Sequence, residues 1–398
     1  MAKFLKISLL LVIGVILLSG CAKRSNPIIP EVGEGDYLKL PAAPGGMGDT
    51  PTALASALLN VADPAGKRSL HAYLPPWHPA IFGRPPSRQK YPVLYLLADF
   101  NQNTQELGGF YQLQKVADEL LAAGEMDSLV IIVISGDLQI STTDLGGTFY
   151  GNSFLIGDWI TFIGQQVVTQ MDTFYLSFNT DPDRRAIAGL GMGGYGAFRI
   201  ALEYDTLFDV VGALSAPLAL GGQDPSGWLD TLLRPEVLSE NNGNYDSIEA
   251  ATPFDPAKPA TSRMIAMAAA FSPRTDTLDT TGVTYRKIPG TRYGVDIPFD
   301  ASGLVGSLVD QWMANDIENL LTTTKAGALA GKKVYFDCGD ADEFEFDAMN
   351  DKFHTTLGIL GIVHTYEKYS GYAGHDATHN QFAYDRLKEL LKFVSANM

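Results

Sequence analysis

Positive charge is scarce in this chain of 398 residues, where 29 lysines and arginines stand against 45 aspartates and glutamates, a formal net charge of −16. So acidic a surface repels phosphate backbones, and nucleic acid is excluded as an expected partner. Cysteine is scarcer still, with Cys21 and Cys338 the two in the chain. A disulfide framework is therefore ruled out. Histidine occurs six times, at positions 71, 78, 354, 364, 375 and 379. Long hydrophobic runs are also missing. The stretch from Ile7 to Leu18 is the one continuous example near the N-terminus, and it falls short of the roughly 20 residues that cross a bilayer.

What is present at the N-terminus reads as an export signal. Lys3 and Lys6 precede the apolar run, which ends in Leu18-Ser19-Gly20-Cys21, a segment that resembles a bacterial lipobox with Cys21 as the lipid-bearing mature N-terminus. The expected location is the bacterial cell envelope, lipid-anchored, and the outer membrane if the cell is Gram-negative. Loss of residues 1–20 removes two lysines and no acid, so the mature chain is more acidic still. Residues 21–50, with Pro41-Ala-Ala-Pro-Gly-Gly46, read as a flexible tether. Residues 51–398 remain for one large domain. With Cys21 taken by lipid, Cys338 stands alone in an apolar strand context, as a small core residue.

Hydrophobic patterning in that domain alternates between strands and helices. Ser69 to Leu74 alternates like a half-buried strand, while Tyr91 to Leu97 and Leu129 to Ile134 are continuous apolar runs of the kind that form central strands. Between them Tyr111 to Ala123 has helical spacing, with Gly124 as a stop. Further strands are predicted at Phe208 to Leu214, Lys333 to Asp337 and Val363 to Lys368. Helices are predicted at Ile156 to Tyr175, Ala348 to Leu360 and Thr378 to Asn397. The β signal fades from Pro217 to Ala330, which reads as an insertion (217–330) over the C-terminal edge of the sheet. The fold class implied is α/β, a mainly parallel central sheet with helices on both faces.

The stretch Arg185-Ala-Ile-Ala-Gly-Leu-Gly-Met-Gly-Gly-Tyr-Gly-Ala-Phe198 reads as a buried strand, a sharp turn and a helix start. Together with Tyr91-Pro-Val-Leu-Tyr-Leu-Leu97, Phe336-Asp-Cys-Gly-Asp-Ala-Asp342 and Gly374-His-Asp376, it resembles the esterase or esterase D family of α/β-hydrolases, relatives of feruloyl esterases and mycolyltransferases. The resemblance covers the chain from about Ser69 to its end. It implies an α/β-hydrolase fold with a nucleophile elbow of pattern G-x-S-x-G and a triad in the order Ser, acid, His. Carried over residue by residue, it places the acid at Asp342, the histidine at His375 and the nucleophile at Gly191, where the serine is absent. The backbone N–H groups of Met192 and Asp99 become the expected oxyanion donors. Relatives often carry a His-Gly pair where this chain has Ala98-Asp99-Phe100, and a carboxylate there would oppose the charge that an oxyanion hole must stabilise.

Other residues have plainer readings. Asp340 to Asp347 is an acidic loop without the ligand series of a calcium site, and His375 with His379 lacks a third metal ligand. No metal or cofactor is expected. His71, His78, His354 and His364 read as packing residues. Tyr195 falls a turn into the elbow helix, Ser215 ends a strand, and Ser153 lies in a loop as at best a substrate contact. The sequence supports an envelope lipoprotein with a degenerate esterase fold, acting as a structural module or binding a carbohydrate, glycolipid or acyl-ester ligand. The alternative is an active carboxylic-ester hydrolase or acyltransferase in which His375 and Asp342 activate water.

Overall fold

A computed structural model describes residues 52–53, 70–75, 91–102, 112–140, 143–174, 184–221, 227–244, 248, 254–274, 285–287, 294–300 and 302–398. The expected signal peptide, Cys21, the tether and His78 lie outside the described residues.

The chain enters the sheet through β1 (Thr52–Ala53), β2 (Leu70–Tyr73) and β3 (Val93–Leu97), and α1 (Leu113–Ala123) then leads to β4 (Val130–Ile134). A long helix, α2, runs as Trp159–Thr161, a π-helical Phe162–Val167 and Val168–Phe174. It is followed by β5 (Arg185–Leu190), α3 (Met192–Glu203) and β6 (Val210–Leu214). After the insertion come β7 (Lys333–Gly339), α8 (Phe346–Ile359), β8 (His364–Tyr369) and α9 (Ala383–Ala396). The insertion itself carries α4 (Arg234–Glu240), α5 (Pro259–Phe271), α6 (Gly306–Met313) and α7 (Ile317–Thr322).

The eight strands lie in the order β1-β2-β4-β3-β5-β6-β7-β8. β1 and β2 pair antiparallel at one edge, and every pairing from β4 to β8 is parallel. The continuous apolar runs explain that centre. Every residue of β3, β4, β5 and β6 is buried, because helices cover both faces and successive side chains alternate between two separate apolar layers. One layer holds Val93, Tyr95, Leu97, Ile132 and Phe336 beneath α2, α3, α8 and the insertion. The other holds Leu94, Leu96, Ile131 and Val133 with Leu120 of α1 and Leu387, Leu390 and Leu391 of α9. Cys338 is fully buried in β7, and burial pushes its thiol well above the ordinary value.

Parallel pairing brings the C-terminal ends of β3, β5, β6 and β7 to one rim. Leu97 sits opposite Gly189, while Leu190 and Asp337 both sit opposite Leu214. The predicted C-terminal helix is shorter than the periodicity suggests. Residues 378–382 form turns instead, and Phe382 in the left-handed region at φ 58° interrupts the helix, while the carbonyl of His379 accepts a hydrogen bond from Arg386. Among its described residues the insertion combines its helices α4 to α7 with short strands of two or three residues. Its α5 is buried over nearly its whole length and carries Phe271 against Tyr195 of α3 and Trp312 of α6.

The turn from β5 into α3 depends on glycine for close approach. A Cβ on Gly193 would stand 2.1 Å from the Leu97 carbonyl oxygen, a contact that backbone cannot relieve by a rotamer change. Gly193→Ala is therefore expected to destabilise the fold by about 2–3 kcal/mol, measured as a fall in the urea midpoint at unchanged m-value.

Candidate active site

At the rim of the sheet, Gly191 forms the tip of the elbow. Its φ of 48° and ψ of −113° lie in a region that L-residues adopt only under strain. The turn is pinned from both sides: its N–H donates to Leu214 O at 2.8 Å, and its carbonyl accepts from Tyr195 N at 3.1 Å. α3 begins at the next residue, so the Met192 N–H points out of the helix start with no intrahelical acceptor.

That N–H donates to the side chain of Asp99, at 2.7 Å from Oδ1. The Phe100 N–H donates to the same oxygen at 2.6 Å. Two backbone donors thus converge on one carboxylate oxygen, the arrangement that an oxyanion would otherwise receive. The sequence reading assigns Asp99 its own N–H as a donor. Instead that N–H donates to Gln102 Oε1 at 3.1 Å, and the side chain is what reaches the site. A Cβ added at Gly191 would lie 2.0 Å from Asp99 Oδ1, 2.4 Å from Cγ and 2.6 Å from Oδ2. The carboxylate of Asp99 therefore stands in the volume where a side chain at the elbow would begin.

Asp99 Oδ2 faces His379, whose Nε2 lies 2.8 Å away, and Asp342 Oδ2 lies 3.0 Å from His379 Nδ1. The three side chains form one buried row: Asp99 is 5 % exposed, His379 2 % and Asp342 5 %. Each ring nitrogen meets a carboxylate, and ionised carboxylates only accept, so the geometry calls for a proton on both nitrogens. The charges agree. Burial works against an imidazolium, but the charges of Asp99 and Asp342 and their hydrogen bonds override it and push His379 up to about 9. Burial likewise opposes ionisation of both aspartates. The His379 charge and its hydrogen bonds nevertheless hold each carboxyl below the usual range, with Arg263 and the Met192 N–H adding to the effect at Asp99, and the Phe344 N–H and Arg386 at Asp342.

Around this row the backbone is held in place by further bonds. Asp342 Oδ1 accepts from Phe344 N at 3.0 Å, and Glu343 accepts from His379 N at 2.9 Å. Phe344 and Phe346 set their rings edge-on to the imidazole. Arg386 of α9 donates to the His379 carbonyl, to Ser215 Oγ and to both oxygens of Asp337.

Of the residues singled out in the sequence, Gly191, Met192, Asp99 and Asp342 meet here, and His375 does not. His375 lies in an exposed turn. It is bridged through its backbone to Tyr372, against whose ring it packs. The histidine that meets Asp342 is His379. The pattern Gly374-His-Asp376 drew attention to the wrong one of two histidines four residues apart, since only the turn through 378–382 decides which imidazole enters the rim. Tyr195 donates to Asn315 O and Ser153 to Ala269 O, while Ser215 accepts from Arg386. None of these hydroxyls faces the row. Among the described residues, no group of three or more histidine, cysteine, aspartate or glutamate side chains is placed to hold a metal ion.

The chain matches the family described as "Putative esterase" over residues 64–385 and belongs to that family. Its fold is similar to that of a ferulic acid esterase, with a TM-score of 0.51 and 19% identity, covering 88% of this chain and 98% of that one. It also matches an S-formylglutathione hydrolase from Agrobacterium tumefaciens (TM-score 0.48, 15% identity, 83% and 90% covered). A ferulic acid esterase from Anaeromyces mucronatus matches with TM-score 0.48 and 15% identity over 92% and 97% of the two chains. The α/β-hydrolase fold, mainly parallel with helices on both faces, is thereby shown.

The row predicts a particular pH dependence. The folded value of His379 lies above its ordinary 6.5, so its contribution to stability is complete below about 6.5 and is lost as pH rises through about 9. Those of Asp99 and Asp342, both lowered from 3.8, are present above about 3.8 and are lost on acidification below it. Urea midpoints are expected to be highest from about pH 4 to 6.5 and to fall toward pH 9, a fall that His379→Gln removes. Because that variant leaves two buried carboxylates without their cation, it is expected to cost about 3 kcal/mol or more at pH 6.

Proposed function

We propose that this protein is a lipid-anchored envelope member of the esterase family that does not perform serine-ester hydrolysis and serves as a non-catalytic ligand-binding module. One observation carries the reading: the Asp99 carboxylate fills the place of the nucleophile, takes the Met192 N–H and binds the histidine at Nε2. A hydrolase of this type needs three things at that point: an attacking atom, an unprotonated imidazole nitrogen beside it, and a free oxyanion donor. Gly191 provides no attacking atom, Nε2 carries a proton toward Asp99, and the donor is already engaged by a negative charge. Water activation, the alternative route, is disfavoured by the same contact. An imidazolium held at about 9 by two carboxylates does not accept a proton near neutral pH.

The anchor at Cys21 supports placement at a membrane surface through the lipobox-like Leu18-Ser19-Gly20-Cys21. Since the acidic surface disfavours polyanions, the ligand is sought among carbohydrates, glycolipids and acyl compounds.

Hydrolysis of short p-nitrophenyl esters tests the reading. The wild-type mature protein is expected to show no turnover above buffer. Gly191→Ser alone is expected to remain inactive, because its Cβ collides with Asp99. Asp99→Gly combined with Gly191→Ser frees the donor, the imidazole and the space together, and is expected to exceed either single variant by roughly a hundredfold. Wild-type turnover that disappears in His379→Ala would overturn the proposal. For the anchor, Cys21→Ser is expected to abolish incorporation of labelled palmitate in cells.

A further inference from the structure

Three arginines are buried in the described residues: Arg185, Arg263 and Arg386. Arg185 is paired with Asp172, and Arg386 with Asp337. Arg263 has neither ion pair nor hydrogen-bond acceptor among the described residues, and its Nη1 is buried without a partner although the residue is only 8 % exposed. A buried donor without an acceptor is costly, and more so on a charged group.

Position gives this cation a meaning. α5 carries Arg263 over the rim, where its charge acts on Asp99 and Asp342. The Phe344 ring centroid lies 3.5 Å from its Cζ, and the Phe100 centroid lies 5.2 Å away. A ring this close covers one side of a guanidinium and leaves N–H groups for an acceptor that approaches away from the ring. Both rings are half-buried, and a third half-buried ring, Phe254, packs edge-on against Phe100 and extends the aromatic patch away from the charge. The neighbouring acids are otherwise engaged: Asp99 and Asp342 hold His379, Glu343 accepts the His379 N–H, and burial with nearby Glu240 and Glu345 raises the carboxyl of Glu236 toward its neutral form.

We propose that Arg263 anchors a carboxylate ligand with an apolar body, its two oxygens meeting the guanidinium in plane and its body packed on the three phenylalanine rings. Fork geometry suits two coplanar acceptors. The aromatic surround suits an acyl or aryl group and disfavours a fully hydrated ion. The site lies above the Asp99–His379–Asp342 row and rests on the ligand-binding reading given above, to which it adds the ligand's class.

Isothermal titration of the mature protein with sodium benzoate, sodium octanoate, methyl benzoate and inorganic phosphate tests the assignment, each at up to about 10 mM, ten times a Kd of about 1 mM. Saturable binding of benzoate or octanoate is expected, with none of methyl benzoate and at least tenfold weaker binding of phosphate. Arg263→Gln should weaken the carboxylate at least tenfold, and Arg263→Lys, which keeps the charge but loses the fork, should weaken it too. No saturable carboxylate binding overturns the assignment, and so does equal binding of methyl benzoate, a comparison that needs no variant to fold. Phosphate bound as tightly as benzoate also overturns it, because the apolar body would then contribute nothing. Ester turnover by the wild type would remove the non-catalytic reading while leaving these titrations as they stand, so the two failures are distinguishable.

Discussion

The organisation of the rim follows from one steric and electrostatic exclusion: the Asp99 carboxylate and a side chain at position 191 cannot occupy the same space. Once Asp99 reaches the elbow, glycine is the residue that fits there. The free Met192 N–H gains a charged acceptor, and His379 gains a second carboxylate. A row of minus, plus and minus then forms in the buried interior, where such a row is stable only if every donor and acceptor finds a partner. Here Asp99 Oδ1 takes two N–H groups, and both imidazole nitrogens face oxygen. The Arg386 brace fixes the His379 backbone from below. A buried imidazolium that would otherwise shed its proton is thereby retained.

The sheet makes this arrangement possible without being specific to it. Parallel pairing from β4 to β8 gathers the ends of β3, β5 and β7 at one rim, and the loops beyond those ends supply Asp99, Gly191 and Asp342. The same rim serves an open catalytic constellation when the elbow bears a nucleophile. In this chain the elbow bears Gly191, and the Asp99 carboxylate after β3 lies against it. The helix α5 adds a second layer, since its Arg263 brings positive charge above a row whose own sum is one negative charge.

That the insertion supplies Arg263 also explains why the cation escaped notice in the sequence. Arg263 sits in Pro-Ala-Thr-Ser-Arg-Met-Ile-Ala-Met, a helical stretch in a region with no motif, more than a hundred residues from Asp99 on one side and from His379 on the other. Only the packing of α5, with its Phe271 against Tyr195 and Trp312, brings it over the rim.

The sequence by itself determined the sheet and its helices, because period and continuity of apolar residues reflect burial on one face or both; β3, β4, β6 and β7 fall where the runs Tyr91 to Leu97, Leu129 to Ile134, Phe208 to Leu214 and Lys333 to Asp337 place them. The glycine-rich segment after β5 likewise made the elbow legible, since few other residues tolerate its turn. Four of the residues singled out, Asp99, Gly191, Met192 and Asp342, do share the rim. Which histidine joins them was beyond local pattern: His375 and His379 are equivalent by spacing, and the choice is made by a five-residue turn that the Arg386 contact stabilises. The direction of the Asp99 side chain was equally a tertiary outcome, because a carboxylate turns toward whichever donors the fold presents, and those come from the neighbouring strand's helix and from a loop 280 residues along the chain.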